Sequence, residues 1–330
     1  PVADREALIR WLADWDELGA AADEERARRF IASDLHTDDS AKERARLFFI
    51  EEIEPKLKPR HQALKQKYLS APARAALGPA FAVLDRALAA EAALYRDANV
   101  PLMVEEERHV MAYQKLTGGM TVTFDGAERT LASLRPVLEE TDRARREAAW
   151  TLAARRRLAD RDALEGLFEA QLALRGRIAR HADCPDYRAY AFKLYQRFDY
   201  GPAECEAFHR AVETSVVPLL RRLQAERRRA MGLAALRPWD LAVDPAGRPP
   251  LKPFATAGEL EERAARLFRR LDPALGARFD RMRELGLLSL ENYKGKAPGG
   301  YQETYAERRL PFIFMNAVGT DQDVQTLGHE

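Results

Sequence analysis

Residues Ser40 to Tyr68, SAKERARLFFIEEIEPKLKPRHQALKQKY, decide the fold class. Leu47, Ile50, Leu57, Leu64 and Tyr68 fall at intervals of 3, 7, 7 and 4, the repeat of one apolar face on a long helix. Ser40-Ala41-Lys42-Glu43 reads as a capping box, in which the Ser hydroxyl and the Glu carboxylate satisfy amides that a first turn leaves free. Pro55 and Pro59 interrupt the pattern and predict a kink or a break. Ser70-Ala71-Pro72 restarts a helix with Pro near its first turn.

The helical period continues outward from there. It returns in Leu164, Leu167, Phe168, Leu174 and Ile178, and again after Pro202 in Phe208, Val212, Val216, Leu219 and Leu223. Thr256-Ala257-Gly258-Glu259 is a second capping box, opening a helix with Leu260, Ala264, Leu267 and Leu271. Two stretches leave this period. Met120–Phe124 alternates and is followed by Asp125-Gly126, a favoured two-residue hairpin turn. Leu310–Asn316 (LPFIFMN) is a short apolar run of the kind that forms a buried strand. After it, Thr320-Asp321-Gln322-Asp323 caps a last helix carrying Val324 and Leu327 and closing on Gly328-His329-Glu330. Boundary candidates are His181–Pro185 and the Pro-rich Asp244–Pro253.

Composition narrows the function. The chain has 330 residues, 46% hydrophobic and 32% charged, enough for a sizeable core. Its net charge of +1 excludes a strongly basic nucleic-acid wrapper. Two cysteines, Cys184 and Cys205, exclude a disulfide scaffold and a Cys-cluster metal site. No apolar run approaches a membrane span, and Pro1–Arg5 lacks the order of a signal peptide. The expectation is a soluble, cytoplasmic protein with no nucleic-acid or membrane partner.

The Arg-dense stretches, 143–161 and 221–229, interleave with Glu and apolar residues and read as solvated helix faces. His36, His61, His109, His181 and His209 sit singly on helical segments without a partner at metal-ligand spacing. Gly295–Gly300 lacks the order of a phosphate loop; it is either a turn needing positive φ or a loop whose bare backbone approaches a ligand. His329-Glu330 is weak as a dipeptide, but its context raises it. The preceding Gly328 disfavours helix by roughly 1 kcal/mol relative to Ala, which suggests a close approach there. In H-E-x-x-H, two histidines one turn apart reach one zinc and the Glu between them is general base. This sequence ends after the Glu.

The string GKAPGGYQETY (295–305) followed by LPFIFMNAVGTDQDVQTLGHE (310–330) resembles the approach to the zinc helix in the oligoendopeptidase F group of thimet-oligopeptidase-like metallopeptidases. YQRFDYGPAECEAFHRAVETSVVPLL (195–220) and LRPWDLAV (236–243) resemble the start of that group's catalytic region, and TVTFDGAERTLASL (121–134) its N-terminal domain. The resemblance implies a mainly α fold: a multi-helix N-terminal domain plus the start of a helical metallopeptidase domain, with a small β hairpin and a short sheet near the active-site helix. It places an N-terminal helical region at 1–110, the group's N-terminal domain at 111–185 and the first part of the catalytic domain at 186–330.

It further implies a Zn2+-dependent endopeptidase hydrolysing internal bonds of short peptides, one zinc per complete enzyme. His329 matches the first metal ligand and Glu330 the catalytic base. The other ligands and the transition-state-stabilising groups would lie beyond this chain, which alone should be inactive; the C-terminal portion could be a separate chain. The last helix, without partner walls for Val324 and Leu327, should fray. An extended substrate is expected to add along the edge of the 310–319 strand, with Met315, Asn316 and Ala317, together with Gly299, Gly300 and Tyr301, binding it. Pro311 fits an edge or a strand start. The alternative from another class is an all-helical interaction or scaffold protein in which His329-Glu330 is incidental.

Overall fold

The computed structural model describes residues 4–330; Pro1, Val2 and Ala3 of the N-terminal stretch read above lie outside the described residues. In chain order the helices are α1 (Arg5–Leu35), α2 (Ser40–Phe48), α3 (Glu54–Leu69), α4 (Ala82–Leu94) and α5 (Val100–Gly118). There follow α6 (Arg143–Ala159), α7 (Arg161–His181), α8 (Tyr187–Leu194), α9 (Pro202–Ala211) and α10 (Val217–Ala230). The last are α11 (Ala257–Leu271), α12 (Pro273–Glu284) and α13 (Asp321–His329). The strands are β1 (Thr121–Phe124), β2 (Ala127–Thr130), β3 (Leu288–Glu291), β4 (Tyr301–Tyr305) and β5 (Leu310–Ala317). The fold is mainly α with two small sheets, as expected.

By packing, the chain forms two units. One comprises the described residues up to Ala22 with 43–113 and 163–216; the other comprises 23–42, 114–162 and 217–330. In the first unit, Leu8, Tyr68, Leu77 and Leu88 form one core, and Leu94, Leu102, Leu174, Ile178 and Tyr190 another. The helix interrupted by Pro55 is not broken. Phe49–Ile53 widens into a π turn in which the Glu54 N–H donates to the Phe49 carbonyl, so Pro55 enters in the first turn of α3, where no N–H is required. The cap at the start of α2 is Asp39, whose Oδ1 accepts from the Ala41 and Lys42 N–H groups, and not Ser40. A carboxylate one residue earlier reaches the same free amides and strengthens their dipole interaction.

The second unit holds both sheets. β1 and β2 form the expected hairpin, with Asp125 and Gly126 at φ 52° and 74°, the pair of positive angles that matches strand twist. Phe124 on this hairpin packs with Leu134 and with Ala149 of α6. The larger sheet has the order β3-β5-β4, with β5 parallel to β3 and antiparallel to β4. Phe312, Ile313, Phe314 and Met315 are all buried, which is why this strand reads as an unbroken apolar run. They share a core with Ala27 and Ile31 of α1, Leu260 of α11, Phe279 and Met282 of α12, and Leu327 of α13. Thr256 caps α11 through its hydroxyl, but Glu259 accepts from the Ala255 N–H instead of closing the expected box, and only Leu260 of the named face is buried; Leu267 and Leu271 are exposed.

Two further expectations change. His36 lies in the turn after α1, not on a helix. The 143–161 stretch is not wholly a solvated face: Arg146 is 2% exposed. Its guanidinium donates to the carbonyls of Glu140, Thr141 and Trp239 and to Asp240, itself fully buried. Arg143 pairs bidentately with the same carboxylate at 3.0 Å on both arms. A buried carboxylate with two guanidiniums leaves little of its charge unpaired.

Candidate functional site

The last helix is set by its cap. Thr320 Oγ1 accepts from the Asp323 N–H, and Asp323 Oδ2 accepts from the N–H groups of Val318, Gly319 and Thr320 at 2.8–3.0 Å. Its other oxygen takes Arg135 Nη2 at 3.2 Å, and the same Nη2 lies 2.8 Å from the Asn316 carbonyl. The end of β5 and the start of α13 are therefore tied at one point. Leu327 is 3% exposed, packed in the sheet's core, so the helix is not left without walls; β5 itself supplies them. His329 lies exposed in the last turn and Glu330 half-buried beside it, the Glu330 N–H donating to the Thr326 carbonyl at 3.0 Å. Among the described residues nothing approaches Gly328 closely.

Gly300 meets this helix. A Cβ added there would stand 3.3 Å from the Phe314 carbonyl oxygen and 3.6 Å from Thr326 Cγ2. Thr326, His329 and Glu330 are three and four positions apart and so share a helix face. Gly299 and Gly300 are exposed. Tyr301 stacks on Phe314 at 4.7 Å between ring centroids, and its hydroxyl donates to Asp34 Oδ2 at 3.0 Å. The positive-φ reading of the glycine loop holds at Gly295 and Gly299, with φ of 84° and 95°, and at Gly300 the close neighbour is the chain's own Phe314 carbonyl.

The edge expectation for β5 fails. β5 is the central strand, paired with β4 over Leu310–Phe314 and with β3 at Ile313, Phe314 and Ala317, and the Met315 and Asn316 carbonyls already accept from Lys296 and Arg135. Asn316 is 8% exposed and fully engaged: Nδ2 donates to the carbonyls of Ala297 and Gly299, both at 2.9 Å, and Oδ1 accepts from Asn292 at 2.8 Å. Met315 is buried and Ala317 pairs with Glu291 of β3.

One residue of this region escaped the sequence reading. Lys296 is 2% exposed, and its Nζ lies 3.0 Å from both the Ser289 carbonyl and hydroxyl, 2.7 Å from the Glu291 carbonyl and 2.5 Å from that of Met315. Burial pushes its pKa down to about 8, against the opposing charge of Glu291. The only sequence signal was a lysine between a glycine and an alanine in a loop, which elsewhere would be solvated.

Among the described residues no group of three His, Cys, Asp or Glu side chains could hold a metal ion. A catalytic zinc takes three protein ligands. His329 and Glu330 supply one imidazole and one carboxylate, and the described residues do not complete such a site.

Residues 137–330 match the family model for peptidase family M3. The chain belongs to that family. Among solved structures, this M3 chain is similar to PZ peptidase A with inhibitor 2, at 26% identity and a TM-score of 0.93, covering 100% of this chain and 58% of that one. It is similar, at 27% identity and a TM-score of 0.92, to a chain provisionally assigned as oligoendopeptidase F, covering 98% and 57%. A third, given the same provisional assignment and coming from Bacillus anthracis str. Ames, shares the fold at 21% identity and a TM-score of 0.88, covering 98% and 59%. This M3 chain thus spans under three fifths of the length of these relatives. No curated protein matches it.

Proposed function

We propose that this chain is the N-terminal portion of a zinc-dependent endopeptidase acting on internal bonds of short peptides, as the oligoendopeptidase F resemblance implied. The observation that carries the reading is the juxtaposition of Gly300 with α13, whose last turn ends in His329-Glu330, inside the segment that matches family M3. His329 is assigned as one zinc ligand and Glu330 as the general base. Zinc, when bound in such sites, polarises a carbonyl and acidifies a water. The remaining donors come from residues after Glu330, on the same or a separate chain.

The substrate role moves off β5. Gly299 and Gly300, bare and exposed, and Tyr301 at the start of β4 are assigned to peptide contact. Among the described residues no strand pairs β4 on its side away from β5, and an extended peptide can add there. Asn316, through its amide, and Met315, through its carbonyl, hold this loop from behind, while Ala317 pairs with β3. Family membership favours this reading over the interaction-protein alternative.

The test starts from the gene. Any two residues and then a His should be encoded after Glu330, with a Glu on a later helix. The protein carrying that continuation should cleave short peptides, and Glu330→Gln should abolish cleavage while leaving zinc bound. A reading frame without such a His, or a Glu330→Gln enzyme of normal rate, would remove the assignment.

A further inference from the structure

The pairing of β3 with β5 slips in register between Ser289 and Glu291. Where a ladder slips, carbonyl oxygens lose their N–H partners. Here the carbonyls of Ser289, Glu291 and Met315, with the Ser289 hydroxyl, converge within 3.0 Å of one point. Four neutral oxygens around one point form a cradle for a small cation. What fills it is the ammonium of Lys296, which also lies 4.5 Å from the centroid of the Phe314 ring.

The chain carrying that ammonium leads directly into the exposed glycines. Upstream, the loop is fixed by its backbone: the Thr37 N–H and hydroxyl both donate to the Gly295 carbonyl, at 2.7 and 2.8 Å. The Ala297 N–H donates to the Asp34 carbonyl at 2.7 Å. A Cβ on Gly118 would stand 2.8 Å from the Lys296 carbonyl, so that position must stay bare. Downstream, Asn316 reaches from β5 to the carbonyls of Ala297 and Gly299. Lys296 therefore reaches from loop to sheet, and Asn316 from sheet to loop. Between them they hold Pro298, Gly299 and Gly300, an exposed part of the loop.

We propose that Lys296 is a positioning residue: a tethered cation seated in the carbonyl cradle of the β3–β5 bulge, which with Asn316 clamps the Gly299–Gly300 backbone beside α13. The clamp itself is independent of the peptidase reading; only its consequence for substrate binding rests on that reading.

Chemical rescue tests it. Lys296→Ala empties the cradle, whereas Lys296→Met fills the same space without charge. Both should raise amide exchange at least about tenfold at Ala297, whose N–H donates to the Asp34 carbonyl, and lower the backbone order parameters of Gly299 and Gly300, with protection in β5 retained. Ethylammonium should restore protection in Lys296→Ala but not in Lys296→Met, and tetramethylammonium, which has no N–H, should restore neither. Asn316→Ala should loosen the same amides without rescue. If Lys296→Ala does not fold alone, ethylammonium-dependent refolding reads the same cradle. Unchanged exchange in the variants, or rescue equal for both ammonium ions, or none for either, would overturn the proposal.

In the protein carrying its continuation, Lys296→Ala should raise KM for a short peptide about tenfold with kcat within about twofold, and ethylammonium should reverse it. A loss confined to kcat would remove the positioning role. If that protein cleaves no peptide at all, the peptidase reading fails while the exchange result still stands.

Discussion

At the scale of single residues, two buried charges make stability rise with pH, each in its own window and for a different reason. The folded pKa of Lys296, about 8, lies below its ordinary 10.5. Between those values the unfolded chain binds the extra proton, so stability rises with pH through that window and is lowest, for this group, below 8. Urea unfolding should show wild type gaining on the order of 2 kcal/mol relative to Lys296→Met between pH 7.5 and 9.5. Asp240 acts in the same direction but in the acid range. Burial opposes its ionisation, but Arg143, the Arg237 N–H and Arg146 outweigh that and hold its pKa below the usual carboxylate range. Its contribution is present at neutral pH and fades as pH falls through that lowered value. Arg146→Met leaves Asp240 with one guanidinium in a buried setting and should lower the unfolding free energy by about 3–5 kcal/mol. A change under 1 kcal/mol would mean that Arg143 alone satisfies the carboxylate.

At the scale of elements, α13 depends on a single carboxylate. Asp323→Ala would leave the N–H groups of Val318, Gly319 and Thr320 without their acceptor and Arg135 with only the Asn316 carbonyl. Unsatisfied buried donors cost about 1–3 kcal/mol each when water cannot reach them. Amide exchange at Leu327 should be slow in wild type, since the residue is buried against β5, and should accelerate at least about tenfold in Asp323→Ala. Equal exchange in both would show that packing alone holds the helix. The capping pattern at Thr320 was visible in the sequence because it is local, whereas Arg135 lies 188 positions from Asp323 and left no trace in spacing.

At the scale of the whole molecule, the chain spans under three fifths of its solved relatives. Its described residues bring one imidazole and one carboxylate to the end of α13. The 330-residue chain should therefore retain less than stoichiometric zinc on equilibrium dialysis and show no peptide cleavage; tight one-to-one zinc binding would contradict the ligand count. The two units are each assembled from separate stretches; of the five breaks between them, those at 22/23, 42/43, 113/114 and 162/163 fall inside α1, α2, α5 and α7, and the fifth, 216/217, is at the start of α10. No proline- or glycine-rich linker marks such a break, so composition gives no sign of it.

What the sequence determined by itself is whatever short-range physics controls. The mainly helical class, the Asp125-Gly126 turn, the caps at Thr256 and Thr320 and the buried run of β5 all follow from neighbours within a few positions. Tertiary structure alone decided that β5 is central and that Lys296 is buried. It also decided that Asn316 faces the loop and that Arg146 and Asp240, 94 positions apart, form a buried pair. The reason is that a polar side chain looks the same in sequence whether water or a distant carbonyl satisfies it. Only the closing of the chain removes the water and fixes which partner remains.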